Sequence, residues 1–97
     1  MRRIIVIEDN LVFRDHVCGM LESEGYTTRT ACDCATARKL MAALETDDIV
    51  LSDLRLPDGE CTALLEYMRA SGMRNPFVIM TDYAQVVSAV SSMRLGA

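Results

Sequence analysis

Residues 49–59 read IVLSDLRLPDG, an apolar run that ends in a single carboxylate and opens into a loop holding Arg55, Pro57 and Gly59. Ile49, Val50 and Leu51 follow one another without a polar break, and Ser52 is small. A strand with one wet face would alternate, so this run predicts a strand covered on both sides, as in a parallel sheet. Asp53 then stands at the strand's carboxyl end. In open parallel α/β sheets ligands bind at that edge, because the crossover loops diverge there and leave a crevice. Asp is also a common turn former, so a purely local turn role for Asp53 stands beside the functional one.

Further strands, and helices between them, are legible on either side of this stretch. RIIVI (Arg3 to Ile7) reads as another buried strand, followed by Glu8, Asp9 and Asn10. From Leu11 to Glu24, Phe13, Val17, Met20 and Leu21 recur at helical spacing, with Asn10 as N-cap and Gly25 closing the end. YTTRTA (Tyr26 to Ala31) alternates and is rich in β-branched residues, which suits an edge strand. A helix is expected from Cys34 to Leu44, capped by Asp33, with Ala37, Leu40, Met41 and Leu44 on one face. Cys61, Leu64, Leu65 and Met68 mark a third helix closed by Gly72. Phe77 to Met80 reads as a fourth strand ending at Thr81, and Ala84 to Leu95 as a fourth helix. Strands strictly alternating with helices require parallel crossovers, right-handed in nearly all proteins, so the chain is expected to be a doubly wound α/β sheet. No GxGxxG follows the first strand and no GxxxxGK[ST] occurs, which removes the main support for dinucleotide and P-loop sites.

Ninety-seven residues make a single domain. A content of 51% hydrophobic and 25% charged residues is that of a globular chain and argues against disorder. The net charge of -4 leaves no basic footprint for direct nucleic-acid contact by this segment or for an anionic membrane surface. No apolar run approaches the ~20 residues that span a bilayer. The opening MRRIIVIEDN reaches acids too soon for a signal peptide, so a cytoplasmic location is expected. Cys18, Cys32, Cys34 and Cys61 are then reduced thiols. CDC at positions 32–34 lacks zinc spacing and reads as small buried residues at a strand-to-helix junction. His16 reads as a surface side chain.

Three of the four expected strands end in oxygen-bearing side chains: Glu8 and Asp9, Asp53, and Thr81. If the first and third strands are neighbours, these groups converge in one crevice. Crowded carboxylates raise one another's pKa unless a cation neutralises them. Mg2+ suits such a site, being held by one or two carboxylates with waters and a phosphate oxygen. A metal beside an exposed Asp suits phosphoryl transfer to that carboxylate, giving an acyl phosphate, and a hydroxyl at Thr81 suits the new phosphoryl oxygens.

At these spacings IEDN, LSDLRLPDG, VIMTDY and the terminal MRLGA closely resemble the receiver (CheY-like) domain of bacterial two-component response regulators, over essentially the whole chain. The resemblance implies a flavodoxin-like strand order 2-1-3-4-5, with the fifth strand and helix missing, so that residues 1–97 form a receiver domain truncated after its fourth helix. It implies that Asp53 is the phosphoacceptor, supplied by the phosphohistidine of a sensor histidine kinase or histidine phosphotransfer protein. Glu8, Asp9 and Asp53 would hold Mg2+, joined by the backbone carbonyl of Arg55. Thr81 would be the switch hydroxyl, and Pro57 and Gly59 would shape the loop. The chain would be a signalling phosphoacceptor rather than an enzyme. Its carboxyl end resembles receivers that precede an ATPase and a DNA-binding domain in transcriptional activators.

Two features depart from the pattern. The family places a phosphoryl-pairing lysine, and an aromatic switch residue, on a fifth strand. The only lysine here is Lys39, in the second helix, and Tyr83 does not match the aromatic. Asp82 follows Thr81 where the family has a small residue, an extra negative charge near an incoming phosphoryl group, and is read first as a cap for the fourth helix. The alternative function is a phosphorylation-independent adaptor of the same fold; a phosphatase using Asp53 would call for an acid at position 55, where Arg stands. An isolated chain lacking the fifth strand is expected to be marginal, aggregation-prone, or a homodimer through the exposed edge of Phe77 to Met80 and the apolar face of the first helix.

Overall fold

Burial from both sides accounts for the unbroken apolar run of β1 (Arg3–Ile7). Ile4 and Val6 point to one face of the sheet, Ile5 and Ile7 to the other, and all four are buried. The computed structural model describes residues 2–80. Thr81, Asp82, Tyr83 and the expected helix over 84–95 lie outside the described residues.

The remaining elements are α1 (Leu11–Ser23), β2 (Thr27–Ala31), α2 (Cys34–Met41), β3 (Ile49–Asp53), β4 (Arg55–Leu56), β5 (Gly59–Glu60), α3 (Cys61–Ala70) and β6 (Phe77–Met80). β2, β1, β3 and β6 form one parallel sheet in that order, with β1 at its centre beside both β2 and β3. Helix α1 covers one face: Val17 and Leu21 pack with Ile4, Val6, Ile49, Leu51 and Met80. Helices α2 and α3 cover the other, where Ala37, Met41, Leu64 and Met68 meet Ile5, Ile7 and Val50. Helices on both faces make the sheet doubly wound, as expected, and the helical spacings point inward as the sequence requires.

Local chemistry sets the helix ends. Asn10 accepts the Phe13 backbone N–H at 3.0 Å, and Asp33 accepts that of Thr36 at 2.7 Å, so both expected N-caps are present. Helix α1 closes at Gly25 (φ 94°) and α3 at Gly72 (φ 82°), each in a Schellman arrangement. Gly25 and Tyr26 donate to the carbonyls of Glu22 and Leu21, while Gly72 and Met73 donate to those of Arg69 and Met68. A positive φ favours glycine at both positions.

The structure departs from the sequence reading in three places. Helix α2 stops at Met41 rather than Leu44, because the Ala43 and Leu44 N–H groups turn to the carbonyls three residues back. Leu44 still packs against the core from that tightened turn. Cys32 is exposed; only Cys34 of the CDC pair is buried. The loop after β3 contains a short antiparallel hairpin, Arg55 opposite Glu60 and Leu56 opposite Gly59, with Pro57 and Asp58 at its tip.

A polar clasp secures the opposite end of the sheet. Arg3 donates to the Asp48 carboxylate at 2.6 Å, and that carboxylate also accepts the Glu45 N–H at 2.8 Å. Buried Asn75 donates to the carbonyls of Glu45 and Asp48 at 2.7 and 3.0 Å. The turn entering β3 is thereby tied to β1 and to the segment entering β6, at the point where β3 begins.

Candidate functional site

Parallel pairing of β1 with β3 sets Ile7 opposite Ser52, so the next residues, Glu8 and Asp53, leave the sheet side by side at its carboxyl edge. The Glu8 N–H continues the ladder by donating to the Ala31 carbonyl at 2.9 Å, and the residue is only 6% exposed. Asp9 is exposed and Asp53 half-buried. Glu8, Asp9 and Asp53 each bring a carboxylate oxygen to within 4.8 Å of the other two. Asn10 then starts α1, whose positive N-terminal end favours anionic groups nearby. Asp53 Oδ1 also accepts the Leu54 N–H at 2.8 Å. The turn role and the clustered role therefore coexist, since the local bond occupies one carboxylate oxygen.

Burial, reinforced by the facing Asp53 carboxylate and by Asp9, pushes the Glu8 carboxyl up to about 8. Its Oε2 is buried with no hydrogen-bond partner among the described residues. A buried acceptor left without a donor is costly, and a proton or a cation relieves it. The donor set is all carboxylate, the chemistry preferred by hard cations. In an octahedral shell at about 2.1 Å, adjacent ligand oxygens stand roughly 3 Å apart and opposite ones about 4.2 Å. The cluster is close enough to that size for small side-chain rotations to complete it, so these three residues can hold a metal ion.

Arg55 lies in β4, two residues beyond Asp53, with its side chain exposed. Lys39 is on α2 and lines a shallow groove with Arg3 and Arg29, away from the acids. His16 is exposed on α1, as expected. The thiols of Cys18, Cys34 and Cys61 are all pushed up by burial, which makes them poor nucleophiles. The sequence reading missed Asp48, whose clasp secures β3, and Asp58, whose carboxylate reaches α2. For Asp58 the only local signal was an Asp in a Pro-Asp-Gly turn.

The response regulator receiver domain matches residues 4–97 of the chain as a family. The chain belongs to the response regulator receiver family. It is 33% identical to the regulatory protein AtoC of Escherichia coli (strain K12) over 97 residues, all of this chain but 21% of AtoC. It is also 33% identical to the transcriptional regulatory protein PmrA of Pectobacterium parmentieri, covering 98% of this chain and 42% of that protein. This receiver thus spans between a fifth and a half of the curated relatives named here. Among solved structures, the non-phosphorylated HemR receiver domain from Leptospira biflexa superposes with a TM-score of 0.77 at 29% identity, over 100% of this chain and 77% of that one. The order β2-β1-β3-β6 is the receiver fold's first four strands. No helix among the described residues is long and apolar enough to cross a membrane.

Proposed function

We propose that this receiver is a Mg2+-dependent phosphoacceptor switch in which Asp53 takes a phosphoryl group from a phosphohistidine. The observation that carries the reading is the convergence of Glu8, Asp9 and Asp53 at adjacent strand ends, with a buried Glu8 oxygen that has no hydrogen-bond partner among the described residues. A carboxylate oxygen of Asp53 attacks phosphorus, the new O–P bond forms as the N–P bond to the donor imidazole breaks, and the imidazole keeps the electron pair and takes up a proton. Mg2+, when bound, neutralises the charge that accumulates on the phosphoryl oxygens. Glu8 and Asp9 would hold it together with Asp53 and the backbone carbonyl of Arg55. Thr81 supplies the hydroxyl that engages the phosphoryl group. The donor is a sensor histidine kinase or a histidine phosphotransfer protein. The transcriptional role in PmrA's name favours an output in transcription, reached through a shift between two pre-existing conformations or through homodimerisation.

Incubation with acetyl phosphate and Mg2+, read by intact mass, tests the assignment. The wild-type chain should gain one phosphoryl group and Asp53→Asn none, with chelation of the metal abolishing the gain. A wild-type chain that stays unmodified under these conditions would favour the phosphorylation-independent adaptor instead.

A further inference from the structure

Asp58 stands at the tip of the β4–β5 hairpin, but its carboxylate belongs structurally to another element. Oδ1 accepts the Cys34 backbone N–H at 2.7 Å and Oδ2 that of Ala35 at 3.1 Å. These are the first two amides of α2, which helix geometry leaves without intrahelical acceptors. Asp33, the helix's own cap, takes the Thr36 N–H. Helix α2 therefore starts on two carboxylates, one local and one delivered from the loop that follows the acid cluster. The hairpin backbone also lies close to the helix: a Cβ at Gly59 would stand 3.5 Å from Cys34 Sγ. At its base the hairpin is closed by the Cys61 N–H donating to the Leu54 carbonyl at 3.0 Å. The segment carrying Arg55 is thus fixed at one end by β3 and at the other by α2.

We infer that Asp58 is a positioning residue for the acid cluster: by anchoring the hairpin tip to the α2 N-terminus, it holds the Arg55 segment in place for the cation and couples cation binding to the order of α2. The inference rests on the proposed Mg2+ site. Coupling of this kind is reciprocal, so a cation that steadies the hairpin must also steady the first turn of α2. A cap that served only the helix would have no such link. Asp33 provides the comparison, because its carboxylate caps the same helix from the helix's own chain, accepting the Thr36 N–H.

The test is calorimetric titration of the full chain with Mg2+ for wild type, Asp58→Ala, Asp58→Asn and Asp33→Ala, paired with amide hydrogen exchange at Thr36 and Ala37. Asp58→Ala should weaken Mg2+ binding about ten-fold, in line with the loss of a group that orients metal ligands. Asp33→Ala should stay within about two-fold of wild type, and Asp58→Asn, which keeps one acceptor oxygen, should fall between. Mg2+ should slow exchange at Thr36 and Ala37 in wild type but not in Asp58→Ala. Unchanged Mg2+ affinity in both Asp58 variants, or an equal loss in Asp33→Ala, would overturn the positioning role while leaving the site intact. A wild-type chain that binds no Mg2+ would overturn the proposed function itself.

Discussion

Glu8 is the buried member of the acid cluster. Its carboxyl is raised from the ordinary range to about 8 by burial and by Asp53, so near neutral pH the metal-free chain holds a proton there. A group whose folded pKa is raised contributes stability that is complete below its unfolded value, near 4.3, and is lost as pH rises through the folded value. Urea denaturation with chelator present should accordingly show wild type losing stability between about pH 4.5 and pH 8, and Glu8→Gln losing less. Mg2+ should reverse that loss, and its affinity should climb with pH until Glu8 is fully ionised. An identical pH profile in Glu8→Gln would remove Glu8 from this role. The acids themselves were legible because each follows an apolar strand run, a strictly local pattern. The partners of Asp58 were not, since a bond spanning 24 residues leaves no trace in periodicity.

Among the elements, the three helices of the described residues were legible to within a few residues because caps and closing glycines are chosen by local geometry. Gly25 and Gly72 offer a clean check. Open space surrounds the position of an added Cβ at each, so Gly→Ala should cost only the positive-φ strain, about 1 kcal/mol, in thermal or urea unfolding. The hairpin of β4 and β5 escaped the sequence reading because two residues per strand are too few to display a period. The Arg3–Asp48 clasp escaped it because the acidic run at 45–48 looks like a solvated turn, whereas Asp48 is buried. Asp48→Ala strands the Glu45 N–H and breaks a partly buried ion pair, and should destabilise the chain by about 2–3 kcal/mol. A change under about 0.5 kcal/mol would show that the clasp is ornamental to the fold.

For the whole molecule, alternating patterns declared a doubly wound sheet, but the order of its strands came from family resemblance, because local pattern does not say on which side of β1 the chain returns. The observed order places β1 and β3 together and so makes the site. It also divides the core into two clusters on opposite faces of the sheet. Leu21→Ala on one face and Leu64→Ala on the other should each cost about 3 kcal/mol, and the double variant, if still folded, should lose their sum to within about 0.5 kcal/mol. This folded arrangement is expected to make Asp53 the single acceptor. Borohydride reduction after treatment with acetyl phosphate and Mg2+ tests it most directly, since an aspartyl phosphate is reduced to homoserine, which peptide mass mapping locates. Homoserine is expected at position 53 alone, dependent on Mg2+; homoserine at another aspartate, or an unaltered position 53 in a chain that has gained phosphate, would show that Asp53 is not the acceptor.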